Sequence, residues 1–416
     1  MGELLGLRCL TCGRDYDAWS VDYFCPHCGP VAGALTVEYE YRVLARRLGP
    51  ASFADTRRNS LWRYDSLLPV SGEYAVPLRA GGTPIYDCPI LAKELGLGRL
   101  WVKDESQHPT ASCKDRGTAV AVAAARMLER EAVCCASTGN AATSLAGFAA
   151  AAGFPCFIFV PKNAPRAKIA QLLAFGATVF AVDGTYDQAS SLALRAAEKF
   201  GWYNRSDGLN PMVVEGNKTA ALEVWEELHG EVPDFALVAV GDGSVIGGIC
   251  KGFLELGKVG LSGKVPKVYG VQAQGAAAVA HAFARFQDGR PILPAEERAE
   301  TLADSIRVGK PMDALRAVRA VAETGGGYVT VSDEEIVAGA QELARRVGVF
   351  AEPSGAAPFA GLLRLLREGT VPEGARVVLF ITGSGLKDPE GALRGLPEPT
   401  VIPPQLEAVD EVLGER

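Results

Sequence analysis

The chain has 416 residues, 48% of them hydrophobic and 22% charged, with a formal net charge of −7. Single cores stop growing near ~250–300 residues, so this length suits a catalytic body of two subdomains with a small appendage, and the hydrophobic share excludes a disordered chain. The negative balance argues against a nucleic-acid partner, and the longest apolar stretch, 146–160, is broken by Gly153 and Pro155, which argues against a membrane span.

The opening MGELLGLRCLTC lacks the basic and apolar regions of an export signal. The ten cysteines are therefore expected to be reduced thiols or metal ligands in a cytoplasmic protein. Four of them, Cys9-x-x-Cys12 and Cys25-x-x-Cys28, form two knuckles, each followed by a glycine where the backbone must reverse, Gly13 and Gly29. This is the spacing of a zinc ribbon over residues 1–40, with His27 as a spacer because four sulfurs already complete a tetrahedron. In that segment two cations, Arg8 and Arg14, stand against six acids. A phosphate-binding surface needs the opposite sign, so the metal is expected to be a structural staple for a piece too short to hold its own core.

From residue 41 short apolar runs at 100–103, 132–136, 156–160, 178–182, 237–240, 268–271 and 377–381 alternate with helical stretches at 115–130, 141–152, 166–175 and 186–200. That alternation predicts a mainly parallel α/β sheet with helices on both faces. Residues 276–327 show no clear period, and 401–416 read as a loosely docked tail.

Three strand-to-helix junctions are rich in Gly, Ser, Thr and Asn, and ligands of open α/β sheets bind where such junctions meet. The first, His108-Pro-Thr-Ala-Ser-Cys-Lys114, places a lysine at the start of a helix. The second, Ser137-Thr138-Gly139-Asn140, offers hydroxyls and helix N-terminal amides to an anion such as a substrate carboxylate. The third, Gly241-Asp242-Gly243-Ser244-Val245, is a glycine-rich turn before a helix at 247–256, able to cradle a phosphate. Each has a plainer reading taken singly: a solvated lysine, a helix cap and an ordinary turn.

Taken together the three resemble fold-type II pyridoxal-phosphate (PLP) enzymes, and most closely the threonine synthases that carry a zinc ribbon. The resemblance runs along nearly the whole chain through Gly82-Thr-Pro84, Lys103-Asp-Glu105, Pro109-Thr110, Lys114-Asp-Arg116, Ser137 to Asn140, Asn210-Pro211, Glu215-Gly216, Lys218-Thr219, Glu352-Pro353 and Thr382 to Asp388. It implies a fold like the tryptophan synthase β-subunit, with two open α/β subdomains in a catalytic body over 41–400, the smaller at about 116–210, and a homodimer acting on a small amino-acid substrate. It makes Lys114 the Schiff-base lysine, Asn140 the partner of the PLP 3'-oxygen and Gly241, Asp242, Gly243, Ser244 and Val245 the phosphate loop. Thr382 takes the pyridine nitrogen. A hydroxyl there leaves the ring largely neutral, which suits elimination and replacement chemistry. The lysine must also be neutral to attack an aldehyde, a state that burial favours.

Some positions depart from the family pattern. His108, Ala111 and Cys113 replace Asn, Gly and Phe, Met212-Val213 replaces Tyr-Arg and removes a cation, and Asp242 brings an acid into the phosphate loop, repulsive unless it points to solvent. Arg166, Lys168 and Lys218 are the cations left to hold a leaving phosphate. The resemblance implies threonine synthesis from O-phosphohomoserine, with a cysteate synthase, a threonine/serine dehydratase or a non-catalytic amino-acid sensor as the alternatives.

Overall fold

The structure is a computed structural model that describes residues 3–53, 60–137, 139–162, 164, 166–286 and 296–414. Its N-terminal segment pairs β1 (Leu4–Cys9) with the short β2 (Asp15–Tyr16) on one side and β3 (Leu35–Tyr39) on the other, both antiparallel. On β3 the residues Leu35, Val37 and Tyr39 alternate inward, as period two requires, and pack on the body.

The first half of the body runs β4 (Ile85–Asp87), β5 (Arg99–Asp104), α1 (Lys114–Met127), β6 (Val133–Ala136), α2 (Asn140–Ala152), β7 (Cys156–Pro161), α3 (Arg166–Ala174), β8 (Thr178–Val182), α4 (Tyr186–Phe200) and β9 (Tyr203–Asn204). The second half continues with α5 (Pro211–Glu227), β10 (Phe235–Ala239), α6 (Ser244–Lys258), β11 (Lys267–Ala273), α7 (Ala314–Glu323), β12 (Gly327–Val331), α8 (Pro353–Arg367) and β13 (Arg376–Ile381). They build a six-stranded sheet in the order β12-β11-β10-β13-β5-β4 and a four-stranded sheet in the order β8-β7-β6-β9. All the pairings are parallel except β4 with β5. Buried apolar strands and helical crossovers of this kind dictate each other, because a parallel neighbour can be reached only over a face. Among the described residues no helix is long and apolar enough to cross a membrane.

Small residues bring the central helices together. A Cβ on Gly216 of α5 would lie 2.1 Å from the Arg116 carbonyl oxygen of α1, and one on Gly252 of α6 would lie 2.4 Å from the Lys218 carbonyl oxygen of α5. One expectation is corrected here. The third junction helix opens at Ser244 rather than at 247, since Gly247 and Gly248 are sites of close packing on Arg316 and Asn217 and not breaks. The unread stretch 276–327 contains a helix at Ala278–Ala284 and α7, with 287–295 outside the described residues. The tail carries a helix, Leu406–Gly414, from which Ala408 is buried.

Candidate active site

Lys114 is the first residue of α1, and its direction is set by neighbours locked beneath it. Asp115 accepts from the Thr110 N–H at 2.8 Å, which ties down the loop before the helix. Arg116, almost fully buried, is held by Glu105 and by Glu223, 2.6 Å away, and donates to Thr83 and Thr219. Removing one partner would strand a buried charge, so this network fixes the start of α1. His108 joins it through Nε2, 3.1 Å from Glu105.

From that base the three junctions and β13 close a ring. The Cys113 N–H donates to the Thr382 carbonyl at 2.9 Å, and the Glu352 N–H donates to Gly383 at 3.0 Å. Asn140 donates from Nδ2 to Glu352 at 2.9 Å and to the Ser305 hydroxyl at 3.2 Å, and a Cβ on Gly241 would come 3.0 Å from the Ser305 carbonyl. Lys114 Nζ lies 2.7 Å from Asp207 Oδ2, and a Cβ on the next residue, Gly208, would press on Asp242 Oδ2. A small cavity between α1, α5, α6 and β13 is lined by Cys113, Asn217, Val245, Ile249, Phe380 and Thr382. Of the residues the sequence singles out, Lys114, Asn140, the loop Gly241–Val245 and Thr382 thus share one site. Ser137 accepts from the Gly139 N–H at 3.1 Å at the start of α2, while Thr138 lies outside the described residues.

The electrostatics differ from expectation at two points. Burial, the largest influence, pushes the Lys114 amine toward neutrality, but the charge and hydrogen bond of Asp207 together with Cys113 raise it above its ordinary value. Asp207 itself is pushed up by burial, yet Arg205 and then Lys114 hold it at about 2. Asp242 does not point to solvent. Its Oδ1 accepts from the Met312 N–H at 2.7 Å and its Oδ2 is buried with no partner. Burial first, then Asp313 and Asp207, push it up to about 7, which removes much of the repulsion a carboxylate would bring. Burial likewise raises Glu352 to about 7.

Lys218, one of the cations named for a leaving phosphate, is committed elsewhere. Lys218 is fully buried and engaged by Glu215 at 2.6 Å and Glu255 at 2.7 Å, so it is no candidate. The side chains of Arg166 and Lys168 lie outside the described residues. Val213, where the family pattern has arginine, is buried against Gly117. Sequence reasoning missed Arg205, Asp207, Ser305, Met312 and Asp313. The signal that would have found the first two is the polar run Asn204-Arg-Ser-Asp207 leaving β9, a strand only two residues long.

A phosphate fits the turn. Gly243 has φ +112°, a conformation glycine adopts freely, and from it α6 begins with first-turn amides that have no intrahelical partner. Ser244 is 1% exposed, and its hydroxyl has no hydrogen-bond partner among the described residues. In the ribbon the four cysteine sulfurs lie within 4.8 Å of one another, with Cys9–Cys28 at 3.9 Å and Cys12–Cys25 at 3.7 Å. Tetrahedral zinc with bonds of about 2.3 Å puts its sulfurs about 3.8 Å apart, so the cluster has the dimensions of such a site.

Sheet order, a lysine opening the helix after β5 and a phosphate-shaped turn after β10 define a class, and comparison agrees: residues 76–383 match the family model "Pyridoxal-phosphate dependent enzyme", and the chain belongs to that family. Solved structures share the fold, among them threonine deaminase isoform 2 of Solanum lycopersicum (TM-score 0.66, 22% identity, covering 83% of this chain and 96% of that one) and maize serine racemase (TM-score 0.63, 21% identity, 80% and 92%). Within the family the chain is a member of the threonine synthases. It is 39% identical to the threonine synthase of Methanocaldococcus jannaschii over 98% of this chain and 99% of that one, and 38% identical to that of Mycobacterium tuberculosis over 84% and 94%.

Proposed function

We propose that the protein is a threonine synthase that converts O-phosphohomoserine and water to threonine and phosphate, with the cofactor held on Lys114. The observation that carries this reading is the closed ring of Lys114, Asn140, the 241–245 loop and Thr382, in a chain alike to threonine synthases over almost its full length. Bound PLP supplies an electron-withdrawing ring that acidifies hydrogens near the substrate's amino group. The amides from Gly243 to Ile246 and the Ser244 hydroxyl hold its phosphate, Asn140 its 3'-oxygen, and Thr382 its ring nitrogen. Ser137, Thr138 and Gly139, at the N-terminus of α2, hold the substrate carboxylate.

Lys114 Nζ is the proton carrier. It removes the α-proton and then a β-proton, phosphate leaves the γ-carbon, a proton returns there, water adds to the β-carbon and the α-proton is restored. Asp207 keeps the lysine close and stabilises its protonated form between these transfers. Cys9, Cys12, Cys25 and Cys28 hold a structural zinc. The reading goes with a cytoplasmic homodimer that has no nucleic-acid partner.

Given O-phosphohomoserine, the enzyme is expected to release phosphate and threonine in equal amounts, and to be much slower with threonine, serine or O-phosphoserine. Two observations favour a second reading: an acid, Asp207, faces Lys114, and Val213 stands where the family pattern has a cation. A β-eliminating or β-replacing enzyme for an unphosphorylated amino acid fits that polarity. Keto acid and ammonia from threonine or serine, with O-phosphohomoserine inert, would establish it instead.

A further inference from the structure

Helix α7 touches both the phosphate turn and the cysteine ribbon, and the chemistry above makes no use of it. At its N-terminal end the Met312 N–H donates to Asp242 Oδ1 at 2.7 Å and the Asp313 N–H donates to the Asp242 carbonyl at 3.3 Å. A Cβ on Gly243 would come 2.8 Å from the Asp313 carbonyl, so the turn rests directly on the helix start. Buried Asp313 is gripped by Arg316, whose Nε lies 2.9 Å from each carboxylate oxygen. The stem of Arg316 fills the space over Gly247 of α6.

The far end of the same arginine reaches the ribbon. Arg316 donates from NH2 to the Leu35 carbonyl at 2.8 Å, and Leu35 is the residue paired with Cys9 across β1 and β3. One turn on, Arg319 donates to the Leu10 carbonyl, inside the first knuckle, while the Leu10 N–H donates to Ala34 at 2.9 Å. From α6, Lys251 donates to the Val37 carbonyl at 2.6 Å. Three ribbon carbonyls are therefore held by cations on the two helices that frame the phosphate turn.

We propose that Arg316 and Arg319 are positioning residues that lock the phosphate turn to the ribbon, so that a metal in the ribbon tightens the chain's hold on PLP. Four thiolates drawn onto one ion fix the knuckle backbones and hence the direction of the Leu10 and Leu35 carbonyls. Release of the ion frees both segments, loosens α7 and lets the turn's amides leave the arrangement a phosphate needs. Binding that depends on preorganised donors weakens when their support moves. Linkage is reciprocal, so bound PLP must also raise the affinity for the metal by the same factor.

This inference rests on the zinc and cofactor readings above, and its test separates them. PLP affinity is measured by absorbance titration on zinc-loaded and chelator-treated wild type and Arg319→Met, with zinc counted by elemental analysis and folding followed by circular dichroism. Metal removal is expected to weaken PLP binding about tenfold in wild type. In Arg319→Met the zinc-loaded protein is already weaker, and metal removal adds little. Equal PLP affinity in zinc-loaded wild type and Arg319→Met, or strictly additive losses from the two changes, would overturn the coupling. If the chelator-treated chain unfolds, the comparison of the two zinc-loaded proteins alone decides. Absence of zinc from protein purified without chelator would sink the metal reading, and the arginine lock would then stand or fall on Arg319→Met alone.

Discussion

Burial, then Asp313 and Asp207, push the Asp242 carboxyl up to about 7 against the pull of the Met312 amide. In the unfolded chain the same group ionises near ~3.9, so the folded state binds a proton that the unfolded state releases. The sign follows: this stabilisation is complete below about pH 4 and is lost as pH rises through about 7. Lys114 opposes the shift and Asp313, itself raised by burial, reinforces it, so the cluster titrates together. Asp242→Asn is expected to flatten the fall in stability between pH 5 and pH 8, by at most about 3 kcal/mol, in urea denaturation at the two pH values. Glu352, which also titrates near pH 7, is common to both proteins and cancels in the comparison. Identical pH slopes would show that Asp242 is already ionised.

At the scale of elements the site depends on how closely α1 and α5 approach, because α1 carries Lys114 and α5 begins just beyond the Asp207 segment. Gly216→Ala would drive a methyl group into the Arg116 carbonyl, and backbone cannot yield as a flexible side chain can. The variant is expected to lose about 3 kcal/mol or more of stability in urea denaturation and to bind PLP poorly; an unchanged midpoint would contradict the packing described. Strands β5, β6, β7, β10, β11 and β13 were legible in the sequence, since buried parallel strands read as continuous apolar runs, and the exposed edge strand β8 was legible from its apolar run alone. Strands β4, β9 and β12 were not: β4 is largely exposed, β9 has two residues and β12 leaves a stretch without period. Asp207 was lost with β9, and with it the acid that opposes the effect of burial on the Lys114 amine. A lysine's burial can be guessed from sequence, but the acid that faces it lies in the run after β9, 93 residues away.

Across the whole molecule the residues proposed to hold the cofactor were the readable part, because a glycine-rich turn and a helix-opening lysine are local patterns carried on single junctions. What joins the junctions was not readable. Asn140 meets Glu352, Ser305 meets Gly241, and the ribbon meets α7 through Arg316, all over long separations in the chain. The same division separates catalysis from substrate choice in this account: the lysine and the turn define the cofactor, while Asp207 and Val213 bear on what the cofactor acts on. The central claim is that Lys114 carries PLP, and the most direct test is borohydride reduction of the yellow protein followed by peptide mass spectrometry. The account predicts a reduced phosphopyridoxyl group on Lys114 alone, absent from Lys114→Ala. A label on another lysine, or a reducible linkage that survives in Lys114→Ala, would contradict it.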